Sequence, residues 1–287
     1  PGGAGACVDA KQRCTKEPEA SPVLFASTGY IESIDEESLI AAAEQYDLLI
    51  ELKHRPGQFV EASSIFAMVS PKARVTQKIV EQIQSFVLTE SRRTPYQDVE
   101  FAIHQLAEIA VRALSPSMND PFTATTCVDW LGVALTRIAQ KEEPCTHRCD
   151  KKGNLRIIAT AITFDGVADA AFNQIRQFGS KSVAVMIRML ETIAVIAPHT
   201  RTQQQRAVLL RHARMIYNQS LRSVKEPYDL ECIEDRYQQT LRLLDGSASR
   251  SGAATVQRAS HAPGTVRPLN QARTSAKPAE GPTDGAE

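Results

Sequence analysis

The stretch RRTPYQDVEFAIHQLAEIAVRALSPSMNDPFTATTCVDWLGVAL, Arg92 to Leu135, decides how the rest of the chain is read. Val99, Ile103, Leu106, Ala110 and Ala113 recur at spacings of four, three, four and three, which puts them on one face of a helix. Thr94-Pro95 supplies a helix start, and Gln97 and Asp98 bring acceptors into the first turn, where the helix dipole favours negative charge. The pattern stops at Leu114-Ser115-Pro116. After Ser117-Met118-Asn119 a second helix opens, with Asp120 as its cap and Pro121 as its first residue. Ala124, Cys127, Leu131, Leu135 and Ile138 give that helix an apolar stripe. Two amphipathic helices therefore meet at a polar elbow, the expected nucleus of an antiparallel bundle.

Upstream of this hairpin the period changes. Gly29-Tyr30-Ile31-Glu32-Ser33-Ile34 alternates as a half-buried strand does, and Asp35 caps a short helix through Leu39, Ile40 and Ala43. A strand follows at 48–53. Arg55-Pro56-Gly57-Gln58 is then a turn signal, because Pro presets φ and Gly accepts a positive one, and Phe59-Val60 and 65–69 resume extended structure. This β module resembles half of a barrel-sandwich carrier domain of the biotinyl or lipoyl type. It has no lysine at a hairpin tip, so it reads as a structural adapter.

Downstream, a short strand at 155–161 precedes amphipathic helices near 164–178, 182–196, 201–223 and 228–244. The fold class expected is α+β: mainly α, with a short β-barrel-like half-sandwich ahead of an antiparallel helical bundle. The division is a disordered segment at 1–21, a β module at 22–72, a helical domain with one short β segment at 73–246, and a disordered tail at 247–287. Both ends combine Gly, Pro, Ser and Ala with little to bury, so they cannot offset their ordering entropy.

Composition narrows the function classes. Thirty-three Lys and Arg balance thirty-three Asp and Glu, so no overall field gathers a phosphate backbone, and nucleic acid is not an expected partner. Six scattered cysteines suggest reduced thiols rather than a disulfide framework. Cys145-Thr146-His147-Arg148-Cys149 has the spacing of half a metal site, but it stands in a charged loop with no second ligand pair in view, and no metal or cofactor is expected. Walker, G-x-S-x-G, G-x-G-x-x-G and H-E-x-x-H signatures are absent from the sequence.

The hairpin also carries a resemblance. Arg93-Thr94-Pro95-Tyr96-Gln97-Asp98-Val99-Glu100-Phe101, then Arg112-Ala113-Leu114-Ser115-Pro116 and Asn119-Asp120-Pro121 with Thr123-Ala124, is similar to the bacterial DUF2254 family of predicted membrane proteins. The similarity extends from Gly29 through Arg55-Pro56-Gly57-Gln58-Phe59-Val60 to Phe172-Asn173-Gln174-Ile175-Arg176-Gln177-Phe178-Gly179 and the helices beyond. The chain departs from the family pattern at Ala102, Ser117 and Met118, where Gly, Gly and Ile are expected. What the resemblance implies is a group of transmembrane helices ahead of a soluble domain. It assigns no activity, so no catalytic residue carries over. The chain opens Pro1-Gly2-Gly3 without Met, which on this reading makes it part of a longer protein anchored in the bacterial inner membrane, with this body soluble and cytoplasmic. A homo-oligomer is compatible with it.

Two functional readings remain. In one, the body senses a ligand or assembles a channel or transporter; in the other, it is an enzyme acting on a small polar substrate in a pocket beneath the 115–121 elbow. The candidate ligand-binding residues are Gln97, Asp98, His104, Arg112, Ser115, Ser117, Asn119 and Asp120. Asp98, Gln105 and Arg112 share one helical stripe, and Glu108 stands four residues before Arg112, suiting an ion pair. The elbow places hydroxyl, amide and carboxylate groups beside a helix N-terminus, where an anion or polar molecule can be held. Asn119→Ala is expected to leave stability unchanged if Asn119 serves binding.

Overall fold

The computed structural model describes residues 19–245. The disorder expected for 1–21 and 247–287 lies outside the described residues, except that Ser21 already opens a strand. Along the chain come β1 (Ser21–Leu24), β2 (Gly29–Ile34), α1 (Glu36–Gln45), β3 (Leu49–Leu52), β4 (Phe59–Val60), β5 (Ile65–Ser70), α2 (Gln77–Ser85) and β6 (Val87–Glu90). They are followed by α3 (Val99–Ala113), α4 (Pro121–Gln140), β7 (His147–Cys149), β8 (Leu155–Ile158), α5 (Phe164–Phe178), α6 (Val183–Ile196), α7 (Gln203–Ser223) and α8 (Pro227–Leu244). The class is α+β with helix predominating.

The strands form two sheets, one in the order β1-β5-β3-β8-β7 and one in the order β4-β2-β6. Every pairing is antiparallel except β3 with β8, where Ile50 aligns with Ile157. That parallel pair matters most for the architecture. The chain leaves the sheet module after β6, runs through the α3–α4 hairpin, and returns to lay β8 along β3 before entering the helices α5–α8. One apolar core gathers Val23, Ile31, Leu39, Ile50, Phe66 and Ile83 with Ile157 of β8. A second gathers α3 through α8 around Leu131, Phe172, Ile175, Met186, Leu190 and Ile216. The two cores are thus connected more than once by the chain, so the α3–α4 hairpin is an excursion between strands of one sheet.

Local chemistry sets the helix starts. Asp35, Asp98, Asp120 and Thr163 each accept a backbone N–H in the first turn of the helix that follows, and Thr202 with Gln205 forms a reciprocal capping box. Gly132 of α4 has room for no side chain, since a Cβ there meets Thr192 Cγ2 at 2.6 Å, and α4 and α6 approach closely as a result.

The structure adds to the sequence reading in several places. Between residues 73 and 246 there are three strands, β6, β7 and β8, where one is expected, because β6 pairs with the distant β2, and β7 joins the sheet as a local hairpin with β8. Helix α3 begins at Val99, so Asp98 is its cap and not part of its first turn. Cys149 is disulfide-bonded while Cys127, Cys145 and Cys232 are free, so the reading of all six cysteines as reduced thiols fails at Cys149, and Cys145 and Cys149 do not form a free thiol pair.

Candidate functional site

The N-terminal turn of α3 is where the helical core joins the sheet module. Asp98 is 1% exposed there. Its Oδ1 accepts from Phe101 N at 3.1 Å, and its Oδ2 accepts from Arg93 Nε at 2.6 Å. Gly57, at φ 88°, presses its backbone against this carboxylate, and a Cβ at that position would stand 2.0 Å from Oδ2. The Arg55-Pro56-Gly57-Gln58 turn therefore requires glycine for two reasons, the left-handed backbone and the absence of space. Next to it, Arg55 Nη2 donates to Glu100 Oε2 at 2.6 Å, Ile34 N donates to Gln97 Oε1 at 3.1 Å, and Thr94 Oγ1 donates to Glu32 Oε1 at 3.3 Å. Each of these bonds crosses from the α3 approach to the sheet module.

Above this junction opens a cleft of about 810 Å³. Its walls include Asp35, Glu36 and Glu37 at the start of α1, Arg55 and Pro56 of the turn, and Tyr96 and Gln97 ahead of α3. Pro144, Cys145 and Arg148 close one side, and Ala159 to Ile162, the segment after β8, close another. Three carboxylates and two guanidiniums face the space. Both guanidiniums are already paired, Arg55 with Glu100 and Arg148 with Glu36 at 2.8 Å. Asp35 is held below the usual carboxylate range by the Ser38 hydroxyl first and the Ser38 N–H second, so it is ionised at neutral pH. Glu36 is taken up by Arg148 and Asp35 by Ser38, which leaves Glu37 as the lining charge without an ion pair among the described residues.

A second polar cluster anchors β8. Burial would raise the Asp150 pKa, yet hydrogen bonds from Arg156 Nε, from Asn154 and from Lys152 N hold it far below the ordinary carboxylate value. Arg156 also reaches Asp47 Oδ1 at 2.8 Å. This network ties β8 to the end of α1 and faces no cavity that the cleft shares.

The candidate residues from the sequence are spread along the length of α3 and do not converge on one site. Gln97 lines the cleft, and Asp98 lies directly beneath the turn that bounds it. His104 is half-buried in the middle of α3. Arg112 is exposed and pairs with Glu108, and Ser115, Ser117, Asn119 and Asp120 sit at the other end of α3, about 22 Å away by helical rise. At that elbow the backbone donors are engaged internally: Met118 N and Asn119 N donate to Ser115 O, Asp120 N to Ala113 O, and Thr123 N to Asp120 Oδ1. Asn119 has φ 45°, so alanine there is strained, and unchanged stability is not the expectation for Asn119→Ala. Asp35, Glu36, Glu37, Arg55, Tyr96, Cys145 and Arg148 are cleft residues absent from the sequence candidates. Their signal in the sequence is local, a cap, a turn and a charged loop, and only the β3–β8 pairing assembles them.

The fold and cleft define an α+β domain whose cleft, of mixed polar and apolar lining, lies where a sheet module meets the segments leading into a helical core. The chain belongs to the DUF2254 family, described as a predicted membrane protein, whose model matches residues 7–195. It is 25% identical over 221 residues to uncharacterised proteins of Mycobacterium bovis and Mycobacterium tuberculosis, over 74% of this chain and 41% of each relative. The chain thus spans about two-fifths of the length of those relatives. No solved structure matches it. Among the described residues no helix is long and apolar enough to cross a membrane.

Proposed function

We propose that this body is the ligand-responsive domain of a larger membrane-anchored protein, and that the cleft between its two cores takes a small, donor-rich cationic ligand. The observation that carries the reading is the cleft's construction: its walls are the sheet module and the segments leading into α3 and α5, its two cations are already paired, and Glu37 at the start of α1 is left without an ion pair among the described residues. A ligand bridging those walls changes the balance of the Arg55–Glu100 and Arg148–Glu36 pairs, and so biases how the sheet module meets the helices. Family membership supports the membrane anchor, supplied by parts of the protein beyond this chain, and the orientation put to the test is a cytoplasmic one, against which the Cys149 disulfide counts.

Calorimetric titration with a linear aliphatic diamine tests the ligand class. Binding is expected, weakened by added salt and by Glu36→Gln or Glu37→Gln. Binding of inorganic phosphate with no response to the diamine contradicts it. For the anchor, the complete gene product is expected to stay with carbonate-washed membranes and to be shielded from protease added to spheroplasts. Release into the soluble fraction removes the anchor, and cleavage of the body from outside reverses its orientation.

A further inference from the structure

Helix α4 presents one face that no other described element covers. Phe122 is 81% exposed, Trp130 62% and Val133 42%, and Val195 on the adjoining α6 is 61% exposed. Between α4 and α6 runs a mostly apolar groove of about 330 Å³ whose lining includes Gly132, Val133, Thr136, Thr192 and Val195. Exposed apolar residues scattered singly need no explanation, but two Val residues along a groove with an exposed Trp on the same helix face mark an interaction surface.

The arrangement of polar residues on this face says what covers it. With Val133 at the centre of the outward face and 100° of turn per residue, Trp130 and Arg137 fall on one flank and Asp129 and Thr136 on the other. Arg137 is exposed and makes no ion pair or hydrogen bond among the described residues. The Thr136 hydroxyl is buried in the groove without a hydrogen-bond partner among the described residues. A two-fold axis through Val133, perpendicular to the helix, lays a second α4 antiparallel on the first. In that arrangement a residue three before Val133 faces one four after it on the same flank. Trp130 then meets Arg137 of the partner subunit, a cation over an indole face. Val133 packs on its own copy at the axis. The face is complementary to itself, which is the requirement for an isologous dimer.

We infer that the chain forms a two-fold homodimer through the α4–α6 face, with Val133 on the axis and Trp130 stacked on Arg137 of the partner subunit. The cleft between the two cores is lined by neither α4 nor α6, so dimerisation and ligand binding occupy separate surfaces.

Trp130 is the chain's single tryptophan, so its fluorescence reports on this face alone. Sedimentation equilibrium of the full 287-residue chain, from micromolar to millimolar concentration, is expected to show a monomer–dimer equilibrium accompanied by a blue shift of the emission as Trp130 is covered. Val133→Glu, which sets two carboxylates on the axis, is expected to abolish both signals. Arg137→Glu, on an exposed side chain at the groove, is expected to weaken the dimer by about tenfold or more, while Arg137→Lys retains it. If Val133→Glu lowers solubility, Arg137→Glu and Arg137→Lys carry the test. A chain that stays monomeric throughout, or a dimer whose constant is the same in Arg137→Glu as in the native sequence, overturns the inference.

Discussion

Helix α3 has an aspartate at each approach, and the two do different jobs. Asp98, at its start, is 1% exposed, carries the ion pair to Arg93 and supports the Gly57 turn from below. Asp120, beyond its end, caps α4 from the surface by accepting from Thr123, and that hydrogen bonding holds its pKa below the ordinary value. Both satisfy the same helix-start rule. What separates them is the company each keeps: one joins two cores, and the other closes a solvent-facing turn. Function is therefore expected at the first end and local stability at the second.

The largest predicted effect follows from removing the buried partner. Asp98→Ala strands Arg93 and leaves the α3 start uncapped, and is expected to cost about 3 kcal/mol or more in chemical denaturation. Gly57→Ala attacks the same contact from the other side, through both a positive φ and a Cβ inside the Asp98 carboxylate, and is expected to cost roughly 2–4 kcal/mol. If either variant unfolds at the native midpoint, the junction is not held as described.

A second contrast, between the two cores, predicts a pH dependence. In the sheet module the buried Asp150 is fully hydrogen-bonded. In the helical core His212 is fully buried against Phe172, with Asp169 Oδ1 3.1 Å from Nε2 but outside hydrogen-bond geometry. Burial first, then Arg211 and Arg176, push its pKa down to about 4, against the pull of Asp169 and Asp165. Between that value and 6.5 the unfolded chain binds more protons than the native one, so stability rises with pH through this window and is fully present above it. Falling pH from 6.5 to 4 is expected to remove about 3 kcal/mol. His212→Phe should flatten the curve there, and an unchanged slope in that variant would assign the acid sensitivity elsewhere.

Smaller effects belong to the elbow. Asn119→Ala puts alanine at φ 45° and is expected to cost about 1 kcal/mol, whereas Asn119→Gly should cost little. Asp120→Ala should lower the melting temperature by only a few degrees, read by calorimetry. A loss at the elbow equal to that of Asp98→Ala would erase the contrast between the two ends.

Much of this was legible in the sequence because it rests on local rules. The period of Val99, Ile103, Leu106, Ala110 and Ala113, the Asp120-Pro121 start and the Pro56-Gly57 turn each depend on neighbours a few residues away. The family motif spans the same hairpin. The cleft was only half legible, through Gln97 and Asp98. Its other walls depend on β8 returning to pair with β3 across a separation of more than 100 residues, with Ile157 against Ile50, and no local period records such a pairing. Burial was equally hidden: Asp98 and Asp120 look alike as letters before a helix, and only the packed Arg55–Gly57 turn distinguishes them.

The proposed ligand site lies at the junction end of α3 and not at the elbow. Amide hydrogen exchange, compared with and without a saturating linear diamine, reads both ends in one measurement. Slower exchange at Ile34, at Gly57 and Gln58 and through 147–149, with residues 115–120 unchanged, is the predicted result. Slower exchange confined to 115–120, with the junction amides unaffected, would contradict the claim.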